Sequence, residues 1–232
     1  MIQHVALIMD GNRRWASRKK LPAFAGHKKG YQQIEKIVTQ AQDLGIQYIT
    51  FWAFSTENWK RSEEEVGYLM NLFRSVLKGN VFKRLIQNGG KICVLGNLKA
   101  FPKDIQNEIA KVIEESKKNI GIQINIALNY GGREEILRAV NKILEERNGS
   151  PIKSGMTDIN EDMFASYLDT AGQPDPDLII RTGGAQRLSG YLPWQSVYSE
   201  LYFTETFWPD FEGQEFDKAI EEYKRRERRF GK

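Results

Sequence analysis

Six short apolar runs, near residues 3–9, 47–53, 91–96, 122–128, 177–181 and 200–204, alternate with six stretches of helical periodicity, near 27–44, 62–87, 102–118, 132–147, 159–168 and 214–229. A helix between two strands supplies the long crossover that parallel pairing needs and that a hairpin lacks. The runs Val5-Ala6-Leu7-Ile8-Met9 and Leu178-Ile179-Ile180 are apolar throughout, as expected of strands covered on both faces. The alternation therefore predicts an α/β fold: one domain over residues 1–232, with a central, mostly parallel sheet of about six strands covered by helices.

Two helical stretches show the covering face clearly. Tyr31, Ile34, Ile37, Val38, Ala41 and Leu44 form one stripe, with Gly45 placed to stop it. Val66, Leu69, Met70, Phe73, Val76 and Leu77 repeat the spacing after the acidic turn Glu63-Glu64-Glu65, which suits a helix N-terminus. Such faces form a core by default, and the same periodicity is compatible with the wall of a hydrophobic tunnel. No Pro/Gly/Ser-rich linker or repeat divides the chain, and Asn148 through Gly155 reads as a surface excursion.

Composition narrows the class of function. No run approaches the ~20 apolar residues of a membrane span, and no basic N-terminal region precedes a long apolar stretch, so the expected location is the cytoplasm. A formal net charge of +4 suits a small anionic substrate or an acidic membrane surface better than nucleic acid, which takes a concentrated basic face. The single Cys93 lies in the apolar run Ile92-Cys93-Val94-Leu95 and has no partner for a disulfide or a thiolate metal cluster.

Chemistry gathers where strands end. His4 to Met9 breaks into Asp10-Gly11-Asn12-Arg13-Arg14-Trp15, and in open α/β sheets ligands bind outside the carboxyl ends of strands. A carboxylate beside a glycine suits Mg²⁺ shared with substrate phosphates, and two guanidinium forks suit the phosphates themselves. A polar turn with Asp10 as a helix cap and solvated arginines reads equally well from residue types. The second candidate strand ends in Ser55-Thr56-Glu57-Asn58-Trp59-Lys60-Arg61, where Ser55 and Asn58 are hydrogen-bonding groups for a headgroup or ordinary turn residues. His27 is a proton carrier or a structural cap. Asp177 to Ser189 opens an apolar strand into a glycine-containing loop with Arg181, Arg187 and Ser189; it has neither the GxxxxGK[ST] nor the GxGxxG pattern. Glu200, set among aromatics in Trp194 to Phe203, calls for a metal, an arginine or an exposed edge.

Taken together these segments resemble the cis-prenyltransferases of the undecaprenyl diphosphate synthase family. The resemblance spans nearly the whole chain through His4 to Trp15 (HVALIMDGNRRW), Gly26-His27, Phe54 to Trp59 (FSTENW), Asn129 to Arg133 (NYGGR), Asp177 to Gly184 (DLIIRTGG), Arg187-Leu188-Ser189 and Trp194 to Phe211 (WQSVYSELYFTETFWPDF). It implies a hydrophobic tunnel in the fold and condensation of isopentenyl diphosphate onto an allylic diphosphate, with farnesyl diphosphate the expected starter, to give a cis-polyprenyl diphosphate lipid carrier. No DDxxD pair of the trans-prenyltransferases is present.

The resemblance also assigns roles. Asp10, Asn58 and His27 are the implied catalytic residues. Gly11, Asn12, Arg13, Arg14, Trp15, His27, Ser55, Glu57, Trp59 and Arg61 on one side, and Arg181, Arg187 and Ser189 on the other, are implied to bind the two diphosphates. Asp10 and Glu200 are the implied Mg²⁺ ligands, and Arg229-Phe230-Gly231 matches a motif that reaches the site across a homodimer interface. A peripheral membrane contact for product release is a further implied partner. This chain has Ala23 where the family usually has arginine and Ala185 where it usually has glutamate, so weaker binding of the allylic substrate is expected. The alternative on the same fold is a non-catalytic partner subunit, against which the presence of Asp10, Asn12, Arg14, Asn58, Arg181, Arg187, Ser189 and Glu200 argues.

Overall fold

In the computed structural model, which describes residues 2–149 and 158–226, six strands form one sheet: β1 (His4–Ile8), β2 (Tyr48–Ser55), β3 (Lys91–Leu95), β4 (Gln123–Tyr130), β5 (Leu178–Arg181) and β6 (Glu200–Phe203). Every pairing is parallel and the order is β3-β4-β2-β1-β5-β6. The central strands are buried on both sides. Val5 and Leu7 join the larger core with the helices, while Ala6 and Ile8 face a second cluster with Tyr130, Tyr191 and Leu192.

The larger core is built from α2 (Ala23–Asp43), α3 (Glu63–Lys78), α4 (Asn80–Gln87), α5 (Lys103–Ser116) and α8 (Gly213–Arg225). On the other face α6 (Gly132–Gly149) and α7 (Glu161–Ala165) pack a third cluster around Ala139, Ile143, Phe164 and Leu168. The chain leaves β1 toward β2 and returns much later to place β5 on the other flank of β1. The β1/β5 seam is thus the switch point of the sheet, where a crevice opens at the carboxyl ends of the strands.

The structure refines the elements read from sequence. The single helix expected over 62–87 is two, because Gly79 adopts an extended conformation between α3 and α4. The stretch expected near 159–168 contracts to α7, capped by Asn160. A short helix that hydrophobic periodicity did not mark, α1 (Asn12–Arg18), follows β1; it buries only Ala16, so it carries almost no apolar stripe. The end of the last expected helix, near 227–229, lies outside the described residues.

Two glycines one turn apart set α2 against α1. A Cβ at Gly26 would fall 1.9 Å from the Asn12 carbonyl oxygen, and one at Gly30 would fall 2.3 Å from Asn12 Oδ1 and 2.6 Å from the Trp208 ring. Trp208, 1% exposed, donates its indole N–H to the Gly30 carbonyl at 2.8 Å and its backbone N–H to the Asp10 carbonyl at 3.0 Å. The start of the Asp10 loop is therefore wedged between α2 and the segment after β6. We predict that Gly26→Ala lowers the unfolding free energy by about 1–3 kcal/mol, read in a urea titration as a lower midpoint at unchanged slope; an unchanged midpoint would show that the close approach is not needed.

Candidate active site

Asp10 stands two residues beyond β1, and the turn that follows depends on Gly11. Its φ of +102° is a left-handed conformation, and a Cβ there would sit 2.6 Å from the Phe207 ring. The Gly11 N–H donates to Asp10 Oδ1 at 2.6 Å. Arg14, one turn into α1, lies 3.1 Å from the same oxygen and donates to the Gly183 carbonyl at 2.7 Å. Across the seam Arg181 Nη2 donates to Asp10 Oδ2 at 2.9 Å. Arg181 is 5% exposed, and its other terminal nitrogen donates to the Arg187 carbonyl and, at 2.9 Å, to Ser189 Oγ. Burial alone would push the Asp10 carboxyl up, but the Arg181 hydrogen bond, the charges of Arg14 and Arg181 and the Gly11 amide together hold it below the usual carboxylate range.

A second carboxylate is clamped in the same way. Glu65, in the first turn of α3, accepts from Arg61 at 2.7 Å and from Arg13 at 3.1 Å, and these two charges outweigh burial to hold its carboxyl low. His27 lies beside this cluster on α2. Burial, then the nearby Arg61, lower its pKa to about 4 against a smaller opposing effect of Glu65, so the ring is neutral at pH 7. Ser55 and Asn58 form a reciprocal box at the end of β2: the Ser55 N–H donates to Asn58 Oδ1 at 3.0 Å and Ser55 Oγ accepts from the Glu57 N–H at 3.2 Å. These hydrogen bonds show the turn role of the two residues, and both also line the crevice.

Several of these groups line one end of a cavity of about 360 Å³, within the usual size range of small-molecule sites, and Arg13, Arg14, Arg181 and Glu65 stand behind them. Asp10, Asn12, His27, Ser55, Glu57, Asn58, Arg61 and Ser189 supply its polar end. Ile34, Leu69, Phe73, Val76, Leu77, Phe82, Ile109 and Leu128 supply the apolar remainder. The stripes of α2 and α3 thus serve as core and as cavity wall at once. At the polar end Asn12 Oδ1 and His27 Nε2 are buried with no hydrogen-bond partner among the described residues, as is Arg181 Nε behind Asp10. Among the described residues no three His, Cys, Asp or Glu side chains cluster as a metal cage. A divalent ion here would have Asp10 as its carboxylate, with substrate oxygens and water as the rest, which fits the habit of Mg²⁺.

Not every residue singled out in the sequence comes to this rim. Glu200 does not: the register sets it level with Leu178 and Val5, roughly 15 Å down the strands from Asp10. Its carboxylate pairs with Arg226 at 2.8 Å. Trp59 turns inward, donating to Asn129 Oδ1 at 2.8 Å and packing on Phe54 and Phe101. Trp15 is also absent from the cavity wall, as are Gly11, Arg13, Arg14 and Arg181, while Glu57 lines it and pairs with Lys60. Arg187 reaches Arg181 through its carbonyl while its side chain is exposed. Residues 229–231 lie outside the described residues. Sequence reasoning missed Glu65, although its i+4 spacing from Arg61 was a usable signal. It also missed Thr182, whose hydroxyl donates to the Asp10 carbonyl at 2.7 Å, and Phe207, against whose ring Arg14 and Arg18 rest at 5.2 and 4.5 Å.

Comparison with known proteins bears on this geometry. The model of a family described as putative undecaprenyl diphosphate synthase matches residues 8–231. An isoprenyl transferase of Clostridium perfringens is 47% identical over 231 residues, covering 100% of this chain and 90% of its own, and one of Treponema denticola is 46% identical over 230 residues, covering 99% and 97%. The crystal structure of lavandulyl diphosphate synthase from Lavandula x intermedia, in complex with dimethylallyl diphosphate, superposes with a TM-score of 0.94 at 34% identity, covering 100% of this chain and 98% of its own. A probable undecaprenyl diphosphate synthase from Campylobacter jejuni gives 0.83 at 31% identity, with 100% and 99% covered.

The electrostatics of Asp10 lead to a direct test. A carboxyl whose folded pKa lies below its unfolded value contributes stability above about pH 4, and that contribution is lost as pH falls through the folded value. Side-chain NMR of Asp10 is expected to report titration below the ordinary range. In Arg181→Gln the titration should move upward and the acid-side loss of stability should begin at higher pH. An Asp10 titration indifferent to Arg181→Gln would contradict the assignment.

Proposed function

The chain belongs to the undecaprenyl diphosphate synthase family of cis-prenyltransferases, and on that premise we propose that it extends farnesyl diphosphate with isopentenyl diphosphate in the presence of Mg²⁺, using the Asp10 rim for both headgroups and the cavity for the growing chain. The observation that carries this reading is the meeting of the Asp10–Arg14–Arg181 cluster with the open end of an apolar cavity. A single domain over residues 1–232 would hold the whole site.

In this account Gly11, Asn12, Arg13, Arg14 and Arg61 hold the allylic diphosphate, while Arg181, Arg187 and Ser189 hold that of the isopentenyl unit. When the bond from allylic carbon to oxygen breaks, its electron pair passes to the departing diphosphate, and fixed guanidinium groups stabilise that growing charge more than the ground state. Mg²⁺, held by Asp10, would supply further charge stabilisation on the same leaving group. The double bond of the isopentenyl unit supplies the electrons of the new carbon–carbon bond and a proton then leaves. Neutral His27, Asn58 and Ser55 line the route available to that proton. Within one chain Glu200 stands away from Asp10 and pairs with Arg226, which supports a structural role for it there.

A homodimer is supported by a separate feature. On α6, Leu137, Val140 and Leu144 recur on one face and are 64%, 36% and 50% exposed, and the nearby Val197 and Tyr198 are 69% and 71% exposed. A second copy would cover such a stripe. No helix among the described residues is long and apolar enough to cross a membrane, so any contact of the product with lipid is made from the surface.

The assay is elongation: pure protein with farnesyl diphosphate, labelled isopentenyl diphosphate and Mg²⁺, followed by chromatography of the extracted lipid. Mg²⁺-dependent elongation is expected, and Asp10→Ala should lower it by about 10²–10³-fold, the equivalent of the several kcal/mol that metal-assisted charge stabilisation supplies. Full activity in Asp10→Ala would remove the assigned mechanism, and no elongation by the unaltered protein would remove the catalytic reading. Ala23 is exposed at the first residue of α2. Ala23→Arg should lower KM for the allylic diphosphate with little change in KM for isopentenyl diphosphate, and unchanged values for both would show that nothing is missing at this position.

A further inference from the structure

From Gly11 to Ile34 the chain carries seven Lys and Arg side chains and no Asp or Glu, while all other residues together hold 27 basic against 30 acidic ones. The modest overall charge therefore hides a strongly basic hairpin, α1 to α2, on a slightly acidic body. Arg13 and Arg14 are engaged by Glu65 and Asp10. Arg18, Lys19, Lys20 and Lys28 are exposed and make no ion pair among the described residues. Between these cations two apolar side chains stand in solvent, Leu21 at 45% and Phe24 at 47% exposure.

The turn that presents them is built rather than loose. Lys20 takes a left-handed conformation with φ +55°, and the Leu21 N–H returns to the Ala16 carbonyl at 2.8 Å, a six-to-one closure that ends α1. Phe24 leans one side of its ring on Tyr68 of α3 at 5.3 Å between centroids, and the Tyr68 hydroxyl donates to the Phe24 carbonyl at 3.3 Å. The patch thus spans the two helices whose apolar faces wall the cavity, at the end where Asp10 and His27 open it.

We propose that this hairpin docks the mouth of the cavity on an anionic membrane surface, with Leu21 and Phe24 entering the interface and Arg18, Lys19, Lys20 and Lys28 meeting lipid phosphates. The proposal rests on the reading that the cavity holds a growing lipid, which must leave through that mouth. An apolar insertion and a basic cluster are the two signals that together give reversible surface anchoring. A soluble diphosphate would use the cations but has no use for the two apolar side chains. The exposed stripe on α6 offers the contrast: Glu134, Glu145 and Glu146 are mixed there with Arg133, Arg138 and Lys142, so that helix lacks the unopposed basic cluster that an acidic bilayer would meet. Glu63 and Glu64, exposed at the start of α3, confine the membrane contact to the hairpin side.

Co-sedimentation of the full chain with vesicles tests this. Vesicles of equal parts phosphatidylglycerol and phosphatidylcholine should bind the protein, vesicles of phosphatidylcholine alone should not, and added salt should weaken binding. Lys19→Gln with Lys20→Gln should cost about fivefold per lysine. Leu21→Ser should also weaken binding without disturbing the Phe24–Tyr68 contact, and each variant should retain elongation in detergent. Equal binding to neutral vesicles, no binding of the unaltered protein to anionic ones, or full binding by both variants would overturn the proposal. Release from vesicles by inorganic diphosphate beyond that caused by chloride at equal ionic strength would overturn it too, by making the patch a small-anion site. Elongation in detergent, measured alongside, reports on the catalytic reading alone, so the two can fail separately.

Discussion

The ion pair between Asp10 and Arg181 crosses the one seam where the sheet reverses its order, and the neighbouring groups take their positions from it. Arg181 is almost wholly buried, a costly place for a guanidinium unless it is paired and hydrogen-bonded. Asp10, Ser189 and the Arg187 carbonyl provide those partners, and in doing so they tie the loop after β5 to the loop after β1. Thr182 and Trp208 hold the backbone of Asp10 from the same side. Gly11, Gly26 and Gly30 remove the side chains that would keep these segments apart.

The charges follow a repeated arrangement, one carboxylate between two arginines. Asp10 lies between Arg14 and Arg181, and Glu65 between Arg13 and Arg61. Each cluster keeps its arginines ordered before any substrate arrives and still has one positive charge in excess. That excess lies at or just behind the polar end of a cavity whose walls are otherwise apolar, with Asp10 and Arg61 in its lining. A diphosphate brings more charge than either carboxylate, so it can draw the arginines toward itself, and the ordering has already been completed in folding. The same division between a charged rim and an apolar depth is what a molecule with a diphosphate head and a hydrocarbon tail requires.

Much of this was legible in the sequence because it depends on local rules. The six strands and most of the helices follow from apolar runs and 3.6-residue periodicity, and the site segments follow from polar clusters at strand ends. What the sequence did not reveal depends on register and on close approach. Glu200 looked like a companion of Asp10, but only the pairing of β5 with β6 shows that the two lie at different levels of the sheet. Trp59 looked like a substrate contact, and its hydrogen bond to Asn129 of β4 turns it into the core. Glu65 was absorbed into an acidic helix start; its spacing from Arg61 signals one half of the clamp, and the other half needs Arg13 brought across from α1. The break at Gly79 reflects the weak helix preference of glycine, which periodicity alone overrides on paper.

Asp10 is committed to arginines in the free protein, and we propose that it becomes a metal ligand only when a diphosphate takes those arginines over. Calorimetric titration of Mg²⁺ with and without inorganic diphosphate tests it most directly, since coupling between two ligands must appear equally from either side. The account predicts weak Mg²⁺ binding to the protein alone, at least tenfold tighter binding with diphosphate present in excess over what the free Mg²⁺–diphosphate equilibrium explains, and loss of that coupling in Asp10→Asn. Equally tight binding of Mg²⁺ with and without diphosphate would contradict it.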